Sequence, residues 1–175
     1  RAWKALTAQS WPPGPGDDFW YSDSPGTYTV SGARVTPDSA LRLTVVMRCV
    51  SLLSETVASL PLHIYRWRAD GGKDRARNHP LYEILHDRPN DFQTSFEFRE
   101  MMQAHIELRG NAYAEILDGP RGFVDQLVPL APDRMTAKRL PNGRRRYEYR
   151  TEEGLTRVFA QEEILHIMGL TLDGV

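Results

Sequence analysis

The stretch that decides the fold runs from Thr94 to Ile116 and reads TSFEFREMMQAHIELRGNAYAEI. Its first half is typical of a helix. Thr94 and Glu97 have the spacing of a capping box, in which the hydroxyl and the carboxylate each accept a hydrogen bond from a free backbone amide. The side chains of one helical face then follow at intervals of three or four residues, namely Phe98, Met101, Met102, His105 and Leu108.

The second half of the same stretch changes its period. Gly110 and Asn111 favour the left-handed backbone that ends a helix. Beyond them the side chains alternate as in a strand, with Ala112, Ala114 and Ile116 on one side and Tyr113, Glu115 and Leu117 on the other. The chain is therefore predicted to turn from helix into sheet at Gly110.

A long helix is predicted upstream, from Thr36 to about Leu60. Thr36 is a suitable N-cap, Pro37 fits the first helical position, and Asp38 lies at the positive end of the helix dipole. An unusually wide apolar face follows, made of Leu41, Val45, Val46, Cys49, Leu52, Leu53, Thr56, Val57 and Leu60. Such a face predicts a helix buried on more than one side, which would be the spine of the domain.

Shorter elements fill the rest of the chain. A strand is predicted over 62–67 and a short helix from Pro80 to about Arg88. Later residues are patterned as strands with turns between them, over 123–128 with Pro129 as the stop, and over 135–140, 144–150, 155–159 and 164–167. Early helices and late antiparallel strands predict an α+β fold, with one long and two shorter helices packed on a mostly antiparallel sheet.

Residues 1–35 differ from the rest in composition. Six aromatic residues are scattered there among prolines and glycines, namely Trp3, Trp11, Phe19, Trp20, Tyr21 and Tyr28. A segment of this kind cannot build a core alone, and solvated disorder rarely uses so many aromatic residues. Two interpretations stay open, an extended arm that docks on another surface and a plain flexible leader. Residues 36–175 are predicted to form the α+β domain.

The overall composition excludes several classes of function. A net charge of -1 and a pI near 6.6 give no global attraction to nucleic acid or to an acidic membrane surface. The single cysteine, Cys49, rules out an internal disulfide, and its apolar neighbours predict a small core residue. The sequence carries no pattern of a signal peptide or of a membrane span.

Catalytic and metal-binding patterns are also absent from the sequence. The histidines have no ligand spacing that is typical of a metal site; they are His63, His79, His86, His105 and His166. No serine occupies a Gly-x-Ser-x-Gly elbow, and no glycine-rich loop has the context of a nucleotide site. We therefore expect no catalytic residue, no cofactor and no resident metal. His105 and His166 are predicted to be half-buried or hydrogen-bonded structural residues.

The chain has one strongly basic segment, a hairpin over 138–150 that turns at Pro141-Asn142-Gly143. Arg144, Arg145 and Arg146 could contact phosphate groups, with Tyr147 and Tyr149 packing beneath them. The alternative is a solvated hairpin whose cations pair with nearby carboxylates, namely Glu152, Glu153, Glu162 and Glu163. A nucleic-acid-binding module is therefore the second functional hypothesis.

Five short blocks of the sequence closely resemble the portal proteins of long-tailed double-stranded-DNA bacteriophages. They read ETVASLPLHIY over 55–65, HPLY over 79–82 with RPN over 88–90, LRGNAY over 108–113, LAPDR over 130–134, and ILHI over 164–167. Their order and spacing make the resemblance specific, and together they cover roughly residues 40–175. The arm at 1–35 lies outside it.

The resemblance implies a structural protein and not an enzyme. Portal proteins form a ring, typically a dodecamer, at one vertex of the capsid, and DNA passes through the ring during packaging and ejection. Their partners are the terminase motor, capsid proteins, head-tail connector proteins and the passing double-stranded DNA, with no membrane. The expected location is the virion, and the host bacterial cytoplasm during assembly.

The matched blocks correspond to the peripheral wing region in the N-terminal half of portal proteins. The resemblance therefore implies a chain that stops before the stem and clip, which line the channel and contact the motor. On that basis we expect the 175-residue chain alone to be a monomer or a small oligomer.

Overall fold

The computed structural model describes residues 27–28, 34–120 and 122–170. The chain divides into two compact units, Arg1–Ala40 and Leu41–Val175. In the first unit, strand β1 (Thr27–Tyr28) pairs antiparallel with β2 (Arg34–Val35), and the single-turn helix α1 spans Pro37–Ala40. The other residues of the predicted arm lie outside the described part of the chain.

The predicted helix start at Thr36 is confirmed, but the predicted continuous helix to Leu60 is wrong. The Ser39 amide donates to the Thr36 hydroxyl over 3.1 Å, as an N-cap requires. Helix α1 then stops at Ala40, and the long helix α2 spans Thr44–Ser59 after an extended Leu43. No side chain of α1 is buried, so no packing energy extends this single turn into the next helix.

Helix α2 also buries a different face from the predicted one. Its buried residues are Ser54 and Ala58, whose small side chains let it pack against helix α4 (Ser95–Arg109). The predicted core face is largely exposed, and Cys49 with it, so the prediction of a buried spine is wrong. Arg99 of α4 donates a hydrogen bond to the carbonyl of Leu60 and so ties the end of α2 to α4.

The helix-to-strand junction is confirmed. The Thr94 amide donates to Glu97 Oε2 over 2.8 Å, and the Glu97 amide donates to Thr94 Oγ1 over 3.3 Å, which completes the capping box. The Thr94 amide and, over 2.8 Å, the Thr94 hydroxyl both donate to the Glu97 carboxylate and lower the pKa of Glu97. Gly110 has φ of 74°, which a side chain would strain, and strand β5 (Asn111–Asp118) follows directly.

Between α2 and α4 lie three short elements. Strand β3 (Tyr65–Trp67) covers the last part of the predicted strand and pairs with β4 (Lys73–Arg75). Helix α3 (Pro80–His86) begins at the predicted proline. A loop then leads to α4, and in it the buried Asn90 donates to the carbonyl of Leu127 over 2.9 Å.

Strand β5 is the centre of a three-stranded antiparallel sheet, between β6 (Val124–Leu130) and β10 (Ile164–Met168). Pro129 was predicted to stop β6, but it lies inside the strand opposite Ala114. The amide of Leu127, two residues earlier, points away from β5 and donates to Pro89 O over 2.7 Å. Pro129 has the same outward orientation on this edge strand, so its missing N–H removes no bond to β5.

A second antiparallel sheet has the order β7-β8-β9, with β7 over Met135–Arg139, β8 over Arg145–Arg150 and β9 over Thr156–Ala160. The predicted turn is confirmed, because Gly143 has φ of 79° and the Leu140 amide donates to Arg144 O over 2.8 Å. The mixed helix and antiparallel-sheet architecture confirms the α+β prediction.

Two core clusters lie on opposite faces of β5. One packs α3 and α4 on the first sheet and contains Ile84, Phe98, Met102, Ala112, Ala114 and Leu127. The other joins the two sheets and contains Tyr113, Leu130, Tyr147, Phe159 and Ile164. Alternation along β5 therefore serves both clusters, since Ala112 and Ala114 face the helices while Tyr113 faces the second sheet.

Candidate nucleic-acid interface

The predicted phosphate-contacting arginines lie at the start of β8 and in the turn before it. Along β8, Arg145 and Tyr147 lie on one face of the strand and Arg146 lies on the other. Tyr147 is only 1% exposed. Tyr147 therefore packs beneath the hairpin as predicted, while Arg144 and Arg146 are exposed. Together with Val158 and Phe159 the three arginines line an open cavity of about 470 Å³.

Strand register places like charges opposite each other next to the turn of the hairpin. Lys138 is opposite Arg146, and Arg139 is opposite Arg145, an arrangement that destabilises a strand pair unless carboxylates intervene. Glu148 does so, with Lys138 Nζ at 2.7 Å from one carboxylate oxygen and Arg146 bonded to the other. The hydrogen bonds from Lys138 and then Arg146 lower the pKa of Glu148.

Two arginines next to this sheet, one in the hairpin turn and one before β7, also pair with carboxylates. Arg144 pairs with Glu162, and Arg134 Nη1 lies 3.0 Å from Glu152 Oε1. Of the four predicted acidic partners, Glu162 therefore pairs with a cation of the hairpin, whereas Glu152 pairs with Arg134, which lies outside the hairpin. Exposed pairs of this kind each contribute up to about 1 kcal/mol, so a phosphate group could compete with them.

A chain of polar contacts joins the two sheets beneath the hairpin. The Tyr147 hydroxyl donates to His166 Nδ1 over 3.1 Å, and His166 Nε2 donates to Asn111 Oδ1 over 2.8 Å, an assignment that requires a neutral imidazole with its proton on Nε2. Tyr113 stacks on the same ring at a centroid distance of 4.4 Å. We call these three hydrogen-bonded residues, Tyr147, His166 and Asn111, the inter-sheet bridge.

Burial shifts the pKa values of two ionisable side chains at the bridge, His166 and Tyr113. Desolvation, with a further contribution from Arg145, lowers the pKa of His166 to about 4. Desolvation also raises the pKa of Tyr113 to about 12. Both groups are therefore neutral at pH 7, which suits a structural bridge. The half-buried, hydrogen-bonded state predicted for His166 is confirmed, whereas its partners Tyr147 and Asn111 were not predicted.

The remaining histidines are dispersed. His79 caps α3 by accepting from the Leu81 amide over 3.2 Å, and His86 Nδ1 contacts Asp87 Oδ1 at 2.8 Å. His63 stacks on His86, while His105 is half-buried on α4 and burial lowers its pKa. Among the described residues, no three side chains of His, Cys, Asp or Glu are close enough to hold a metal ion.

Four of the five blocks that carry the portal resemblance meet at or beside β5. Arg109 Nε lies 2.7 Å from Asp133 Oδ1, which joins two of these blocks. Asn111 and His166 join a further pair through the inter-sheet bridge. Asn90 binds the backbone of β6. These polar residues therefore stabilise the scaffold by joining elements that are distant in sequence.

Comparison with known protein families matches residues 44–175 to a family described as phage portal protein. The chain belongs to the phage portal protein family. The portal protein of Enterobacteria phage HK97 is 33% identical to this portal-family chain over 142 residues, which are 81% of the chain and 33% of the HK97 protein. The chain thus spans about a third of that relative's length.

Solved structures agree with the family assignment. The neck of an empty gene transfer agent (GTA) particle, determined with C6 symmetry, contains a chain that is 27% identical and superposes with a TM-score of 0.66 over 88% of this chain and 42% of that one. The neck of the native GTA particle, with C12 symmetry, gives 26% identity and a TM-score of 0.61 over 77% and 36%. Within the described parts of the portal-family chain, no helix has the length and apolarity to cross a membrane.

Proposed function

We propose that the chain is part of a subunit of the portal ring at one capsid vertex, through which DNA is packaged and ejected and to which the tail is joined. The family match over residues 44–175 carries this proposal. The symmetric necks that contain similar chains support a ring of identical subunits. In this role the protein is a structural conduit and not an enzyme.

The fold suits a subunit that must keep its shape while neighbours contact it. Strand β5 has a core cluster on each face, and the capped α4–β5 corner fixes the helix against the sheet. A ring of identical subunits joins two different surfaces of each copy, so rigidity between those surfaces sets the angle at which the ring closes. Proposed partners are further copies, capsid and head-tail connector proteins, the terminase and the passing duplex; the proposed locations are the virion and, during assembly, the bacterial cytoplasm.

Electron microscopy of the full-length protein that contains this chain tests the proposal. We expect closed rings with a central channel wide enough for duplex DNA. The matched control is the 175-residue chain, for which light scattering should give a monomer or a small oligomer. Full-length protein that stays monomeric and forms no ring in the presence of its shell protein would contradict the proposal.

A second candidate role is the binding of DNA phosphates by Arg144, Arg145 and Arg146. It is favoured by their position around one open cavity on the hairpin. Changing all three to Gln should reduce the slope of log affinity for duplex DNA against log salt by about 0.9 for each phosphate that is no longer neutralised. An unchanged slope removes the hairpin from any DNA role and leaves the ring proposal untouched.

A further inference from the structure

Helix α2 presents a continuous apolar surface to solvent, which we call the α2 outer face. It lies opposite the buried Ser54 and Ala58 and consists of Val45, Cys49, Leu52, Leu53, Thr56, Val57 and Leu60. Val45 is 75% exposed, Leu52 54% and Leu53 50%. Thr56 adds no free polar atom, because its hydroxyl donates to the Leu52 carbonyl of its own helix over 2.6 Å and leaves the methyl group outward.

An apolar surface of this extent favours association. A helix of 16 residues is about 24 Å long, and the outer face follows it over its whole length. Scattered exposed apolar residues are ordinary on a protein surface, whereas a contiguous apolar stripe along a helix is typical of a contact with another protein surface.

The charges of α2 indicate which surface fits. Arg48 and Glu55 are the charged residues of this helix, and they lie two turns apart on the same flank of the outer face. Neither makes an ion pair with another described residue. Their positions are symmetric about the helix midpoint, which falls between Ser51 and Leu52.

This symmetry makes the outer face complementary to itself. When a second copy of α2 is turned end for end and laid on the first, Arg48 of each copy lies beside Glu55 of the other. The same alignment places the apolar residues of the two helices at the interdigitating positions of an antiparallel coiled coil. In a parallel pair the two-fold axis runs along the helices, so the charged flanks of the two copies lie on opposite sides of the contact and Arg48 does not meet Glu55.

We propose that the α2 outer face pairs two copies of this chain antiparallel about a two-fold axis, with an apolar centre and two Arg48–Glu55 ion pairs. The contact is isologous, because the same surface is used by both copies. A ring joins subunits head to tail, so the pair is a state of subunits outside the ring. It does not depend on the proposed portal function.

Sedimentation equilibrium of the 175-residue chain tests the pairing. We expect a reversible monomer–dimer equilibrium at micromolar concentrations. Leu52→Glu should weaken dimerisation at least about tenfold, as for a central apolar contact. Leu155→Glu is the matched control, since Leu155 is 63% exposed but lies in the β8–β9 turn, and it should leave the dimer unchanged.

Charge reversal tests the orientation without changing the apolar surface. Arg48→Glu and Glu55→Arg should each weaken the dimer, because each places like charges together twice. The double variant R48E/E55R should restore it, since the opposite charges then meet again. Both positions are exposed, and an unchanged circular dichroism spectrum confirms that each variant is folded.

Three results would overturn the proposal. The first is a chain that stays monomeric up to millimolar concentration, which would mean that the outer face is covered by something other than a second copy. The second is a dimer that Leu52→Glu does not weaken. The third is a double variant no better than Arg48→Glu, since undirected apolar association would not respond to the swap.

Discussion

Helices α4 and α2 lie side by side, yet they are stabilised in different ways. α4 has a complete capping box at its start, a left-handed glycine at its end, and buried Phe98 and Met102 on the face that meets the sheet. α2 has no side-chain cap and buries only Ser54 and Ala58, while its larger apolar side chains face solvent. The apolar face of α4 is covered by the rest of the chain, whereas most of the apolar face of α2 is exposed and available for contact with another molecule.

The difference teaches that amphipathic periodicity identifies an apolar face but does not tell what covers it. α4 and α2 both have clear apolar periodicity in sequence. The face predicted for α4 is covered by the chain itself, and most of the face predicted for α2 is not. A surplus of apolar residues on a helix that lies at the edge of a core therefore points to association.

The largest expected effect is the stability contrast between these two helices. Phe98→Ala leaves a cavity between α4 and the sheet and should lower the free energy of unfolding by about 3–5 kcal/mol. Leu53→Ala, on the α2 outer face, should change it by less than about 0.5 kcal/mol in dilute solution. Urea unfolding of both variants measures the contrast, and equal losses would show that the outer face is part of the core.

The inter-sheet bridge should give the next largest effect. Tyr147→Phe removes the hydroxyl that donates to His166 Nδ1 and leaves this half-buried acceptor without its partner. We expect a loss of about 1–3 kcal/mol in the free energy of unfolding. Tyr65→Phe is the control, since Tyr65 is 49% exposed and lies in β3, away from the bridge. If both variants are destabilised by the same amount, the bridge contributes nothing specific.

The pH dependence of stability follows from the same bridge. The pKa of His166 is about 4 in the folded chain, against 6.5 for an ordinary histidine, so the unfolded chain binds the proton first as the pH falls. His166 therefore contributes stability above pH 6.5 that is lost as the pH falls toward 4. Because the ring is half-exposed, we expect roughly 1 kcal/mol of loss between pH 7 and pH 5.

Comparison with His166→Asn isolates this contribution, because the other histidines whose pKa is lowered, His63 and His105, titrate in both proteins. Denaturant unfolding at pH 7, 6 and 5 should show a steeper decline for the unmodified chain. Parallel declines would exclude His166 as the source.

The smallest expected effect concerns the start of α4. Thr94→Ala removes one half of the capping box and should cost about 1 kcal/mol or less. Thr94→Ser keeps the accepting oxygen and should retain most of the stability. Thermal unfolding of the two variants distinguishes them, and an equal loss for Ser and Ala would exclude the cap as the cause.

Features coded by neighbouring residues could be predicted from the sequence. The capping box at Thr94, the turn at Gly110 and the hairpin at Gly143 each depend on a few adjacent side chains, and each is confirmed. The portal family could also be predicted, because five separate blocks occur in the right order.

Features that depend on distant partners could not be predicted. The partners of the bridge residue His166, Asn111 and Tyr147, lie 55 and 19 residues away along the chain. The place of Pro129 inside β6 depends on which edge of that strand is free. The interruption before α2 depends on what packs against each turn, which local propensity does not encode.

The exposure of Cys49 tests the central claim, that the α2 outer face is uncovered in the folded chain. Cys49 is the only cysteine, so a thiol reagent reports on this face alone. At concentrations where single copies dominate, we predict that native Cys49 reacts within about tenfold of its rate in denaturant, as an exposed site would. Protection by a factor of about a thousand or more, relieved only by global unfolding, would contradict the account.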